Sequence, residues 1–282
     1  MGNCIAAIQM VTTSDLSKNL EAAAKLIDAA KAQGAKLVLL PEVFAVLEGG
    51  PMRRYGELEG DVGAPIQGFL SSMAKKHKIT LVGGTIPLIS RPGRQASDSD
   101  YLISDGRVRP ASLVFGPSGE QIARYDKIHL FDVLVDDEKS NYSESKSYEA
   151  GEELVVVSTE LGELGLSVCY DLRFPELYRA LFHRGAQIMT VPAAFTKVTG
   201  QAHWETLLRA RAIENQCYIV AAGQGGRHSE DRETWGHSMI VDPWGRVLNS
   251  IGTGEGYAIA EIELGVLENV RKMMPIAAQT KL

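Results

Sequence analysis

One helix–strand–turn unit is written twice in this chain. Gly34-Ala35-Lys36-Leu37-Val38-Leu39-Leu40-Pro41-Glu42-Val43-Phe44 lines up with Gly185-Ala186-Gln187-Ile188-Met189-Thr190-Val191-Pro192-Ala193-Ala194-Phe195, with Gly, Ala, Pro and Phe at matching places. Between the shared residues lies an apolar run too short for a helix and bounded by turn residues, which reads as a buried strand. Ile79–Val82 pairs in the same way with Tyr218–Ala221, and the turn Pro117-Ser118-Gly119 with Pro243-Trp244-Gly245. Any α/β chain can put a proline after a strand; the common order of all three pairs is what favours duplication. Two similar helix–strand layers that bury their strands against each other form a four-layer αββα sandwich, and this is the expected α/β architecture. The whole chain, 1–282, reads as one such domain.

The local signals agree. Leu16, Leu20, Ala23, Ile27 and Ala30 recur at helical spacing, with Ser14 or Asp15 available as a cap and Gly34 placed to end the helix. A second helix is expected over Pro65–Lys76, and Gly116-Pro117-Ser118-Gly119 turns a hairpin. In the second half, strands are expected at Leu154–Val157, up to Cys169, at Ile188–Val191 and at Tyr218–Ala221. Helices are expected from Pro175 and over Ala202–Asn215. Two polar stretches, 90–107 and 126–153, interrupt this grammar. Loops of that length inside a compact fold tend to carry function, and the first could rim a cleft.

Composition narrows the classes. Of 282 residues, 45% are hydrophobic and 23% charged, which excludes a disordered chain. The net charge of −6 is spread without a basic stripe, which argues against a nucleic-acid groove. No apolar run is long enough to span a bilayer, and no secretory signal is visible. The start Met1-Gly2-Asn3-Cys4 has the glycine of an acylation site, but that motif wants Ser or Thr at position 6, where Ala6 stands. Three distant cysteines, Cys4, Cys169 and Cys217, are not a disulfide framework, so a reducing, cytoplasmic setting is expected.

Cys169 is the candidate nucleophile. It follows the apolar strand Gly165–Val168 and precedes Pro175, a residue suited to the first turn of a helix. A thiol on such a strand-to-helix turn is expected to be exposed, with backbone N–H groups that lower its pKa and bind an oxyanion. Cys217 and Cys4 lie in apolar strand sequence and read as inert. A thiol needs a base. Six histidines are present, none with metal-ligand spacing, and a Cys/His pair meeting only in space is one option. Glu42, directly after the strand and Pro41, is the other. Lys127 could cover apolar surface with its stem or point its ammonium at developing negative charge.

Pro41-Glu42, Tyr125-Asp126-Lys127-Ile128-His129-Leu130 and Cys169-Tyr170-Asp171-Leu172-Arg173-Phe174-Pro175-Glu176 together resemble the three signatures of the nitrilase superfamily of carbon–nitrogen hydrolases. The likeness runs from about residue 4 to 275. It implies that Cys169 attacks an amide or nitrile carbon, that Glu42 is the general base, and that Lys127 stabilises the tetrahedral intermediate with the Tyr170 backbone N–H. It also implies that Glu144 orients Lys127 and the substrate, and that no metal or organic cofactor is needed. The family's fold is the αββα sandwich already expected from the duplication.

The stretches Thr199–Glu205, Leu208–Tyr218, Gly225–His228 and Trp235–Ser238 resemble the small-amidase branch of the family. That likeness implies a 2-oxo acid amide as substrate. Deaminated glutathione, which would release 2-oxoglutarate and cysteinylglycine, is the first expectation, and 2-oxoglutaramate the alternative. A cation should meet the oxo acid's carboxylate, and Arg173 is the candidate, against a structural salt bridge at the helix start. Phe195, Thr199 and His203, on or near the loop after the strand that echoes the Glu42 strand, are expected to line the pocket. The helices Phe174–Arg184 and Ala202–Glu214 carry the mixed faces with which this family dimerises, so a homodimer or larger homo-oligomer is expected. The rival from another class is a redox-sensing thiol protein; it wants a resolving cysteine, and none is close in sequence.

Overall fold

The computed structural model describes residues 2–60 and 64–281, so Met1 of the N-terminal acylation motif lies outside the described residues. Along the first half run β1 (Asn3–Gln9), α1 (Leu16–Ala32), β2 (Ala35–Leu39), α2 (Met52–Leu58), α3 (Pro65–His77), β3 (Thr80–Val82), β4 (Ile86–Leu88), β5 (Arg109–Phe115) and β6 (Gln121–Asp126). A small hairpin, β7 (Asp132–Leu134) and β8 (Asn141–Ser143), and a 3₁₀ turn at Glu144–Lys146 follow. The second half runs β9 (Val156–Thr159), β10 (Gly162–Leu166), a 3₁₀ turn at Cys169–Arg173, α4 (Pro175–His183), β11 (Ile188–Ala193), α5 (Lys197–Asn215) and β12 (Tyr218–Gly223). It ends with β13 (Met239–Val241), β14 (Val247–Ser250), β15 (Gly256–Ile262), α6 (Leu264–Met273) and α7 (Ile276–Gln279).

Two sheets result, ordered β15-β1-β2-β3-β5-β4, with β6 on β5, and β14-β13-β12-β11-β10-β9. Each has three central parallel strands, β1-β2-β3 in one and β10-β11-β12 in the other, flanked by antiparallel partners. The duplicated residues occupy equivalent places: β2 matches β11, β3 matches β12, and the hairpin β5–β6 matches β13–β14.

Side-chain alternation explains the layering. Ile5 and Ala7 of β1 and Leu37 and Leu39 of β2 join the core shared with the second sheet. Ala6, Ile8, Val38 and Leu40 point the other way, into a core with Ala23 and Ile27 of α1 and Leu70 of α3. Both faces of these strands are covered, which is why they read as unbroken apolar runs. On the far side, Leu177 and Leu181 of α4 and Trp204 and Leu208 of α5 cover the second sheet, completing the αββα sandwich.

Several boundaries differ from the sequence reading. Strand β9 begins at Val156, because a tight turn at Glu160-Leu161 pairs Thr159 with Gly162 and sets the hairpin register. Strand β10 stops at Leu166, three residues short of Cys169. Helix α5 begins at Lys197 rather than Ala202, since the Thr196 hydroxyl accepts from the Thr199 N–H and caps it. Thr199 and His203 therefore stand on a helix, not a loop. The 90–107 stretch does not rim the cleft: Arg91 and Arg107 fold it onto Glu149, away from the cavity wall. Among the described residues, no helix is long and apolar enough to cross a membrane.

Candidate active site

The carboxyl ends of β2, β10 and β11, the end of β6 and the 3₁₀ turn after β8 converge on one cavity of about 500 Å³. Ligand sites in α/β folds favour this edge, where chain leaves the parallel strands. Glu42, Lys127, Glu144 and Cys169 all line it.

Lys127 is 1% exposed. Its Nζ donates to Glu42 Oε1 at 2.9 Å and to Glu144 Oε1 and Oε2 at 2.9 and 2.8 Å. All three ammonium hydrogens thus have carboxylate acceptors. Burial by itself would push this ammonium down, but Glu144 and Glu42 more than offset it and hold Lys127 well above the ordinary lysine value. Burial raises Glu144 above its usual range against the pull of Lys127. A buried cation between two carboxylates is an expensive arrangement unless every group is satisfied. Here they are: Glu144 Oε2 also accepts from the Phe131 N–H at 2.6 Å, and Glu42 Oε2 from the Ala194 N–H at 2.8 Å. The Glu42 carbonyl accepts from Gln224 Nε2, which ties the strand-end of one sheet to the other.

Cys169 is 7% exposed and sits at φ +48°, in the left-handed region. For a residue with a Cβ this costs about 1–3 kcal/mol, so the surroundings must enforce it. They do so through Asp171, fully buried. Its carboxylate accepts from the Val168 N–H at 2.8 Å, Tyr125 Oη at 2.7 Å, the His129 N–H at 3.0 Å and His129 Nδ1 at 2.7 Å. The His129 ring lies flat on Phe174, 3.6 Å between centroids. From α5, buried Arg211 donates twice to the Leu172 carbonyl, at 3.1 and 2.8 Å. One carboxylate thereby joins the cysteine turn to the Lys127 segment. The expected exposed thiol with a lowered pKa is not what the structure holds: burial, and next the charge of Glu42, push the Cys169 thiol well above its ordinary value, against the pull of Lys127. Both effects favour the neutral thiol, beside the Glu42 carboxylate.

Other expected residues fall as follows. Tyr170, Arg173, Phe195 and Thr199 line the cavity. The Arg173 guanidinium lies over the Phe195 ring at 5.2 Å and the Tyr170 ring at 5.9 Å. Among the described residues no carboxylate lies within 4.0 Å of it, so the salt-bridge alternative is not what the structure holds. His203 is exposed on α5 and outside the lining; it reaches the site only by accepting from Arg173 at 3.1 Å. Cys217 is buried and its thiol is pushed up to about 12 by burial, as befits an inert core residue. The sequence reading missed Asp171, His129 and Tyr125, although all three stand inside the quoted motifs. It also missed the wall formed by Val46 and Leu47 and the cations Lys139 and Arg232 at the cavity. No local pattern marks those.

The comparisons with known proteins agree with this geometry. The family model described as carbon–nitrogen hydrolase matches residues 4–272. The chain belongs to the carbon–nitrogen hydrolases of the nitrilase superfamily, and is an amide-hydrolysing member of it. A relative from Synechocystis, named deaminated glutathione amidase, is 44% identical over 96% of this chain and 95% of its own length. A chloroplastic omega-amidase of Arabidopsis thaliana is 38% identical over 97% of this chain and 71% of its own. The crystal structure of the Caenorhabditis elegans NitFhit protein superposes with a TM-score of 0.85 at 38% identity, covering 100% of this chain; the chain spans 66% of that longer protein.

Proposed function

We propose that this protein is a thiol amidase that hydrolyses the amide of deaminated glutathione to 2-oxoglutarate and cysteinylglycine. The observation that carries the reading is the buried cluster Glu42–Lys127–Glu144 with the Cys169 thiol against it at one cavity. Glu42 takes the thiol proton as sulfur attacks the amide carbon. Charge builds on the amide oxygen, where the Lys127 ammonium and the Tyr170 N–H receive it. Glu144 binds Lys127 with both oxygens, so one of the three ammonium hydrogens can turn to the oxyanion while the ion pair persists. Glu42 returns its proton to the leaving amine, the C–N bond breaks, and a thioester remains on Cys169. Water, deprotonated by Glu42, opens the thioester and frees the acid. Arg173 meets the carboxylate of the oxo acid, and Phe195 and Thr199 bound its chain. His203 acts through Arg173, by accepting its hydrogen bond.

The chain forms this enzyme as one domain over 1–282, supported by a family match that runs from residue 4 to 272. It works in the cytoplasm as a homodimer built on α4 and α5, the latter presenting exposed Ile213 next to the Trp244 turn. The omega-amidase likeness supports a second reading, cleavage of 2-oxoglutaramate to ammonia. Release of 2-oxoglutarate from the two substrates side by side decides. Preference for deaminated glutathione is expected; preference for 2-oxoglutaramate overturns the first reading and keeps the catalytic set.

A further inference from the structure

The cavity carries a second pair of cationic donors that the proposed chemistry does not use. Lys139 and Arg232 both line it, from segments far apart in the chain, and both reach one carboxylate, Glu48. The Lys139 Nζ lies 3.4 Å from Glu48 Oε1 and the Arg232 guanidinium 3.3 Å from the same oxygen. Asp231 also lies within electrostatic reach of both cations, so what the pair offers an anion is its free donors: among the described residues each cationic side chain makes one hydrogen bond, to Glu48. The Lys139, Arg232 and Glu48 side chains are half-buried, between 22% and 32% exposed, so their charge is less screened than on open surface. Lys139 also lies over the Tyr142 ring at 5.7 Å, which limits its freedom. Glu48 holds a left-handed backbone at φ +60°, a conformation a glutamate adopts only under constraint from its neighbours. Arg173, by contrast, stands on Tyr170 and Phe195 and shares no partner with this group. The cavity therefore offers two separate anion positions.

We infer that Lys139 and Arg232, held together by Glu48, form a leaving-group subsite that binds the terminal carboxylate of a peptide released from the scissile amide. The inference rests on the amidase reading above and names what selects its substrate. Deaminated glutathione bears two separated carboxylate ends, one on the oxo acid and one on the terminal glycine. Arg173 takes the first and the Lys139–Arg232 pair the second. 2-Oxoglutaramate, with ammonia as its leaving group, has nothing to place there.

The test compares kcat/KM for deaminated glutathione, for the same compound with its terminal carboxylate converted to a neutral amide, and for 2-oxoglutaramate. The parent should prefer the free carboxylate over the neutral amide by about tenfold, the scale of one charge-assisted hydrogen bond. In Lys139→Met and in Arg232→Met that ratio should fall toward one, and in Lys139→Arg it should be kept. Each single variant leaves Glu48 one cation, which protects the fold. A parent ratio near one, or a ratio unchanged in both Met variants, overturns the subsite while the amidase reading stands. Turnover of 2-oxoglutaramate with neither peptide amide cleaved overturns the subsite and the deaminated-glutathione reading together and leaves the catalytic set in place.

Discussion

Cys169 needs its neighbours to hold a strained backbone and, in the proposed mechanism, to lose a proton. Burial pushes its thiol up, so in the proposed mechanism proton loss rests on Glu42 rather than on a standing thiolate. Cys169→Ala should abolish turnover while leaving circular dichroism and melting temperature unchanged; retained activity would remove the nucleophile assignment. Lys127→Ala should lower kcat by about a hundredfold or more if the ammonium receives the oxyanion. A change confined to KM would contradict that role. Replacing Arg173 with Met should weaken 2-oxo acid amides more than neutral amides, and an equal loss of both would make it structural. Glu42, Lys127, Cys169 and Arg173 were legible in the sequence because they follow a strand or open or close a turn in a recognisable string. Lys139, Arg232 and Glu48 were not. Their contacts join positions 91 and 184 residues apart, and nothing local distinguishes them from solvated charges.

At the scale of elements, the cysteine turn is held by hydrogen bonds rather than by propensity. Asp171 takes four of them, from Val168 on its own segment and from Tyr125 and His129 on the Lys127 segment. Asp171→Asn keeps the shape but turns one acceptor into a donor facing N–H or O–H groups. It should destabilise by about 1–3 kcal/mol, the cost of leaving a buried donor unpaired, and lower kcat more than it raises KM. Unchanged melting and unchanged kcat would mean that packing alone holds the turn. The Glu42 segment is positioned differently. Gly84, at φ +50°, lies so close beneath it that a Cβ would collide with the Pro41 carbonyl, and Thr85 Oγ1 accepts from the Val43 N–H at 2.9 Å. Helix starts were partly legible: Asp15 caps α1 as expected, while α5 begins one turn before the apolar pattern does. Periodicity marks the buried face of a helix, and a polar first turn such as Thr199-Gly200-Gln201 has none to show.

At the scale of the whole molecule, Glu149 forms a polar junction outside the cavity. Arg91 of the 90–107 segment donates to it through Nε and Nη2, and Arg109 of β5 donates to it as well. Those guanidinium bonds, Arg91's first, hold its carboxyl at about 2, against 4.5 for a free glutamate. The stabilisation is complete above pH 4.5 and is lost as pH falls from 4.5 toward 2. The parent's melting temperature should therefore drop more steeply across that window than that of Glu149→Gln. Parallel curves would show that the junction adds nothing to stability.

Alternation, caps and turn residues are written in short stretches, because backbone sterics and hydrogen bonds within a few residues decide them. The duplication raised that local grammar to an architecture, and the sandwich followed. Tertiary structure alone decided that Asp171 braces the Cys169 turn and that a second pair of cations stands at the same cavity. It also sets how tightly the buried groups hold their protons. Those outcomes depend on burial and on charges brought together from distant segments, and electrostatic energy in a dry interior belongs to the assembled molecule rather than to any stretch of the chain.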